Sequence, residues 1–235
     1  MMLLRRALGV LGELLITLGV VLLLFVGWQL WWTDVTANSE QSGTVASLER
    51  GFGAPGAAPP AMTAQERRVH LGAVPRVRAF AFDRIPRLGA HYARPVLEGT
   101  DEDTLTAGVG HYTGTAMTGA VGNFAVAGHR TTYGRPFHDI DRLAKGDTIV
   151  VETRTSYVVY AVDRHVIVTP DHVEVTAPVP QHPGARPTQR WMTLTACHPK
   201  YSASQRYIVF ARMVRTIPRA EGLPASYLRT AGKAA

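Results

Sequence analysis

One residue in this chain has chemistry that its neighbours must explain: the single cysteine, Cys197, in the run TLTACHPKYSASQRYIVF. A lone cysteine cannot form an intrachain disulfide, so it is either a buried apolar residue or a working thiol. Along a strand Arg190–Thr195, alternation puts Met192, Leu194 and Ala196 on one face and Thr193, Thr195 and Cys197 on the other, so the thiol lies on the polar face. The segment His198–Gln205, holding Pro199, Ser202 and Ser204, then leads into a β-rich run that begins at Arg206. If the two runs pair as a hairpin, Arg206 starts its strand opposite the place where Cys197 ends its own. A guanidinium there can favour the thiolate, bind a substrate carbonyl or stabilise the oxyanion of a tetrahedral intermediate. The plainer reading is an exposed strand-edge arginine, of which Arg190, Arg212 and Arg215 are further examples.

Acyl transfer from an amide also needs a proton carrier, because a free amine leaves poorly unless protonated. Histidine fits that need near neutrality. In GNFAVAGHRTTYG a small-residue strand leads into Gly128-His129-Arg130, and the glycine allows a turn that stands the imidazole at a strand end. His111, His138, His165, His172 and His198 are rival bases; His198 neighbours Cys197 on a strand and so points to the other face. A free thiol near ~8.5 is only a few per cent thiolate at neutral pH. A thiolate–imidazolium pair and a mostly neutral pair with a small active fraction therefore both stand open. No HExxH, paired CxxC, glycine-rich phosphate loop or GxSxG occurs, so metal, nucleotide and serine-hydrolase chemistry have no motif to rest on.

The elements that must position these groups read as one mainly β domain. The segment from about Arg76 to Arg215 is rich in Val, Ile, Phe, Tyr and Thr, punctuated by Gly and Pro, which predicts a barrel or sandwich. Strands are expected at Phe80–Ile85, Arg94–Leu97, Asn123–Ala127, Thr148–Glu152, Tyr157–Val162, Arg190–Thr195 and Arg206–Val214, and helices at Asp101–Leu105, capped by Thr100, and at Arg135–Leu143. Upstream, Leu14–Trp32 carries no charge and as a helix would span roughly 28 Å, the thickness of a bilayer core. Arg5 and Arg6 precede it and Trp28, Trp31 and Trp32 crowd its far end, which predicts an anchor with its N-terminus inside. A cleaved signal peptide is the competing reading, with Val35-Thr36-Ala37 as a poor cleavage site. The expected organisation is a cytoplasmic tip and transmembrane anchor over 1–35, a flexible Pro/Gly/Ala/Ser linker over 36–75, a catalytic domain over 76–216 and a flexible tail over 217–235. The 25 Lys+Arg against 18 Asp+Glu are spread along the chain, and with no zinc-finger spacing or RNA-binding signature nucleic acid is not an expected partner.

Taken together, GNFAVAGHR, TLTACHP and the arginine after the following loop resemble the sortases, cysteine transpeptidases of Gram-positive envelopes, over roughly Phe80 to Arg215. The GHYTGTAM segment and the His-Pro pair after the cysteine are most similar to class E, the actinobacterial housekeeping type. The resemblance implies a closed eight-stranded β-barrel with a few short helices behind the anchor. It makes Cys197 the nucleophile, His129 the acid/base and Arg206 the substrate and oxyanion contact. Tyr112 becomes a candidate contact for the second position of the sorting signal, and Thr195 and Ala196, just before the cysteine, further signal contacts. Ala196 stands where the family usually has Thr; facing away from Cys197, it should touch packing or substrate fit only modestly. No cofactor or metal is implied. The implied partners are secreted proteins with an LAxTG- or LPxTG-like signal, the amine of a peptidoglycan precursor (lipid II) and the cytoplasmic membrane, with the catalytic domain outside it. Two other readings remain: another extracytoplasmic Cys/His wall peptidase or L,D-transpeptidase, and a tethered β module that binds without catalysis.

Overall fold

The computed structural model describes residues 2–54, 56 and 79–229. Eight strands close into a barrel: β1 (Ala79–Arg84), β2 (Arg94–Glu98), β3 (Val109–His111), β4 (Gly122–Ala127), β5 (Thr148–Glu152), β6 (Ser156–Val168), β7 (Arg190–His198) and β8 (Gln205–Pro218). Their order around the barrel is β1-β2-β3-β4-β7-β8-β6-β5. The interior is filled by alternate residues of each strand, among them Val96, Phe124, Val126, Met192, Leu194 and Val209. Two pairings are parallel, β2 with β3 and β4 with β7; the latter lays the strand that leads into His129 beside the cysteine-bearing one. β7 and β8 form the expected hairpin.

Several elements differ from the sequence reading, each for a physical reason. β3 has two residues that flank a glycine and shows no alternation; it pairs with β2 and β4, and the close packing needs the glycine, since a Cβ on Gly110 would come within 2.3 Å of the Gly99 carbonyl oxygen. The helix expected at Asp101–Leu105 is α2 (Glu102–Ala107), and its cap is Asp101, whose carboxylate accepts from the Thr104 amide, rather than Thr100. The helix expected at Arg135–Leu143 shrinks to a single 3₁₀ turn at Ile140–Arg142, because Arg135 sits at φ 47° and cannot propagate a helix into Pro136. The N-terminal helix α1 (Met2–Phe52) carries one apolar stretch long enough to cross a membrane. It then continues past residue 36, where the linker was expected, and packs Val45, Leu48 and Phe52 on Phe82 of β1, with the two Phe rings stacked 6.0 Å apart. Of the expected linker, 55 and 57–75 lie outside the described residues. The expected tail is held as far as it is described: Arg219 is buried against Glu152, and Leu223 and Tyr227 pack on Val150 and Tyr157; residues 230–235 lie outside the description.

Asp83 of β1 is fully buried, opposite Arg94 on β2, and among the described residues no side-chain donor meets its carboxylate oxygens. Burial pushes its pKa up to about 7, opposed in part by its own backbone amide and the Arg94 charge. A folded-state pKa raised above the unfolded value favours the fold fully at low pH and loses that contribution as pH rises through about 7. Asp83→Asn should therefore match the wild type near pH 4 and exceed it at pH 8, by on the order of a few kcal/mol. Urea denaturation of both proteins across this range checks it, and parallel stability curves would contradict the assignment.

Candidate active site

The site is built by β7 and its two neighbours. β4 runs parallel to β7 in a register that ends at Ala127↔Thr195, and the Gly128 amide continues it by donating to the Thr195 carbonyl at 3.1 Å. Carried two residues further, this register sets His129 level with Cys197. On the other flank β8 runs antiparallel, with Cys197 directly opposite Arg206. Directly opposed residues project to the same side of a sheet, so the sulfur and the guanidinium share a face. That face is the outer one. Met192, Leu194 and Ala196 point into the barrel core, whereas Thr193 bonds Asn123 beneath the cover formed around Val175. Cys197 ends this outer row, half-buried and free.

His129 is fixed by a loop that returns on itself. Its carbonyl accepts from the Phe137 amide at 3.0 Å, and the Tyr133 ring lies 5.1 Å from the imidazole. The preceding glycine serves a different purpose from the turn expected of it: Gly128 is not left-handed, but a Cβ there would come within 2.7 Å of the Phe137 ring. Among the described residues Nε2 of His129 is buried and has no hydrogen-bond partner. Burial lowers the His129 pKa below 6.5, and the Glu102 carboxylate opposes this more weakly. The ring is thus neutral at pH 7 and able to take a proton. The rivals are otherwise engaged. His111 is buried between Glu98 (2.6 Å) and Thr115 (2.8 Å), His138 bonds the Arg130 carbonyl, His165 stacks on Tyr207, and His172 pairs with Glu174 at the surface. His198 accepts from Arg130 at 2.8 Å and packs against Tyr207 of the core side.

Arg130 was not singled out by the sequence, where nothing marks it except its place after His129. It is 3% exposed and pairs with Asp141 at 2.8 Å. Its Nη1 reaches the Cys197 carbonyl at 3.5 Å as well as His198, so it ties the histidine loop to the cysteine strand. Nη1 of Arg206 donates to the carbonyls of Ala203 and Gln205, which hold the guanidinium at the start of β8. Tyr112 and Thr195 meet: the Thr195 hydroxyl donates to the Val126 carbonyl at 3.2 Å, leaving Tyr112 to donate to Thr195 at 3.0 Å. Both lie on the Cys197 face, one strand step below the sulfur. Ala196 does not join them. It is 3% exposed within the barrel core, opposite Tyr207, so its side chain cannot reach a bound signal directly. Among the described residues no group of three or more His, Cys, Asp or Glu is placed to hold a metal.

The sortase domain model matches residues 84–214. Sortase SrtE1 of Streptomyces coelicolor is 39% identical over 225 residues, covering 91% of this chain but 59% of that protein, so the chain spans well under two thirds of that relative. Sortase SrtE2 of the same organism is 33% identical over 226 residues, covering 90% of this chain and 83% of its own length. Among solved structures, sortase E from Streptomyces avermitilis superposes with a TM-score of 0.60 at 42% identity, over 65% of this chain and 99% of that one. Sortase E1 from Streptomyces coelicolor with a tripeptide in the active site gives 0.58 at 40% identity, over 62% of this chain and 94% of that one.

Because burial is the main cause of the His129 shift, its titration midpoint by ¹⁵N NMR should fall below 6.5. A midpoint above about 7 would make the resting imidazole mostly a cation at neutral pH and remove its role as a base.

Proposed function

The chain belongs to the sortase family, and from that premise we propose that it is a membrane-anchored cysteine transpeptidase. It cleaves an LAxTG- or LPxTG-like sorting signal between Thr and Gly and transfers the resulting acyl group to the amine of a peptidoglycan precursor such as lipid II. The observation that carries this reading is that Cys197 stands opposite Arg206 on β8, on a strand whose other neighbour, β4, ends two residues before His129. The likeness to a sortase E1 solved with a tripeptide in its active site supports a peptide substrate here.

In this reading the signal lies along the outer face at the ends of β4, β7 and β8, with Tyr112 and Thr195 forming part of the floor. The neutral His129 takes the thiol proton as Sγ attacks the Thr carbonyl, and the oxyanion of the tetrahedral intermediate forms beside Arg206. His129 then gives its proton to the departing glycine amine, the C–N bond breaks and a thioacyl ester remains on Cys197. In the second half the acceptor amine attacks the thioester carbonyl and gives its proton to His129, the C–S bond breaks, and His129 returns that proton to the departing sulfur to restore the thiol. The apolar stretch of α1, with Arg5 and Arg6 before it, sets the N-terminus inside and the barrel outside the cytoplasmic membrane.

The test incubates the full chain in detergent with LAxTG and LPxTG peptides and a glycine amine, read by mass spectrometry. The expected products are an acyl-enzyme on Cys197 and a transpeptidated peptide, with LAxTG preferred. Cys197→Ala should abolish both. Arg206→Lys should lower turnover by about 100-fold or more, since an ammonium lacks the planar fork. Absence of any adduct with either peptide would overturn the assignment in favour of a binding module.

A further inference from the structure

The helix that crosses the membrane does not end at the membrane. Beyond its apolar stretch α1 turns a stripe of Ala37, Gln41, Val45 and Phe52 onto the barrel, all of them buried. The polar member of that stripe is the informative one. Gln41 is 1% exposed, and its amide donates to the Tyr133 carbonyl at 3.0 Å and to the Thr106 carbonyl at the end of α2 at 3.2 Å. Two turns earlier, Asp34 accepts from the Gly134 amide at 3.2 Å and pairs with Arg135 at 2.9 Å.

Three of these contacts land on a strained turn, whose own backbone adds the bonds from the Arg135 amide to the Thr132 carbonyl and from the His138 amide to the Arg135 carbonyl, each at 3.0 Å. Tyr133, Gly134 and Arg135 are all left-handed, at φ 51°, 74° and 47°, a conformation that costs a non-glycine residue roughly 1–2 kcal/mol. Gly134 also allows the close approach of the helix, since a Cβ there would stand 3.1 Å from the Gln41 amide. From the barrel side Arg94 donates to the Gly134 carbonyl and Tyr92 to the Pro136 carbonyl, each at 3.0 Å. The turn is thus gripped between barrel and helix, and its first residue, Tyr133, lays its ring against His129.

We propose that Gln41 and Asp34 are positioning residues for His129: the anchor helix holds the left-handed 133–135 turn, and through Tyr133 it sets the place and the solvent cover of the imidazole. The consequence is that the segment which tethers the enzyme also completes its proton-transfer site. The role in turnover rests on His129 acting as acid/base, but the effect on the ring is measurable without turnover.

The experiment compares the full chain, wild type, Gln41→Ala, Tyr133→Ala and the double variant in lipid nanodiscs. Loosening the turn lets water reach the ring, so the His129 ¹⁵N titration midpoint should rise toward 6.5 in Gln41→Ala, with the thermal midpoint little changed. The kcat should fall about tenfold with KM within about twofold, as for a misplaced catalytic group. The double variant should be no worse than Tyr133→Ala, because residues acting through one another are not additive. Asp34→Asn, which keeps the shape and loses the ion pair to Arg135, should shift the midpoint in the same direction by less, and serves if Gln41→Ala misfolds. An unchanged His129 midpoint in both helix variants, or losses that multiply in the double variant, would overturn the proposal. A wild type that forms no acyl-enzyme would instead sink the transpeptidase reading, leaving the titration shifts to judge the helix.

Discussion

The site depends on the register of β7 between its two neighbours. Strand side chains alternate with a period of two, so a slip of one residue against β4 or β8 would turn Cys197 into the barrel and bring Ala196 out in its place. What prevents the slip is burial on both faces of the strand. Met192 and Leu194 fill the interior, and on the outer face Thr193 is fully buried in bonds to Asn123 and Val175. A closed barrel adds that no edge is left along which β7 could shift independently. The face that Cys197 and Arg206 share is therefore set by core packing well below it.

Guidance of the finer kind comes from the loop after β4. Gly128 lets the Phe137 ring close under the loop, Phe137 returns its amide to the His129 carbonyl, and Arg130 bridges from Asp141 to the end of β7. Each is an ordinary contact. Their joint effect is that the backbone on both sides of His129 is held while its Nε2 is left buried and unpartnered among the described residues. A buried ring nitrogen without a partner is costly, typically by ~1–3 kcal/mol, and such a cost persists where a substrate or neighbour is to supply the missing bond.

How much of this was legible in the sequence follows from which forces leave a local mark. Alternation and hairpin logic were enough to put Cys197 on the polar face and opposite Arg206, because both rest on strand periodicity alone. The glycine before His129 was noticed for the wrong reason: its neighbour Phe137 is nine residues on, and a close approach between distant residues has no local signature. β3 escaped for the same reason, being specified by the backbone packing of Gly108 and Gly110 rather than by an apolar pattern. The helical extension of α1 read as linker because Asn38–Gly53 is rich in Ser and Gly, which are poor helix formers. It is helical because Phe82 and the 133–135 turn receive it, a tertiary override that propensity does not contain.

The form of the site also bears on what it can accept. A cleft of about 700 Å³ opens between the end of α1 and β1, β5 and the C-terminal segment, lined by Glu49, Arg84, Glu152 and Arg219 among others. Those charges neutralise one another: Arg84 pairs with Glu49 and Glu152, and Arg219 with Glu152 and the Gly53 carbonyl. The cleft is a seam where helix and barrel are joined, with those charges already paired. The Cys197 face is formed elsewhere, at the ends of three adjacent strands, β4, β7 and β8. In the proposed reading an extended peptide spreads its contacts along those strand ends and presents one carbonyl to the face that Cys197 and Arg206 share, so recognition would come from contacts strung along a chain and not from the charged seam beneath the helix.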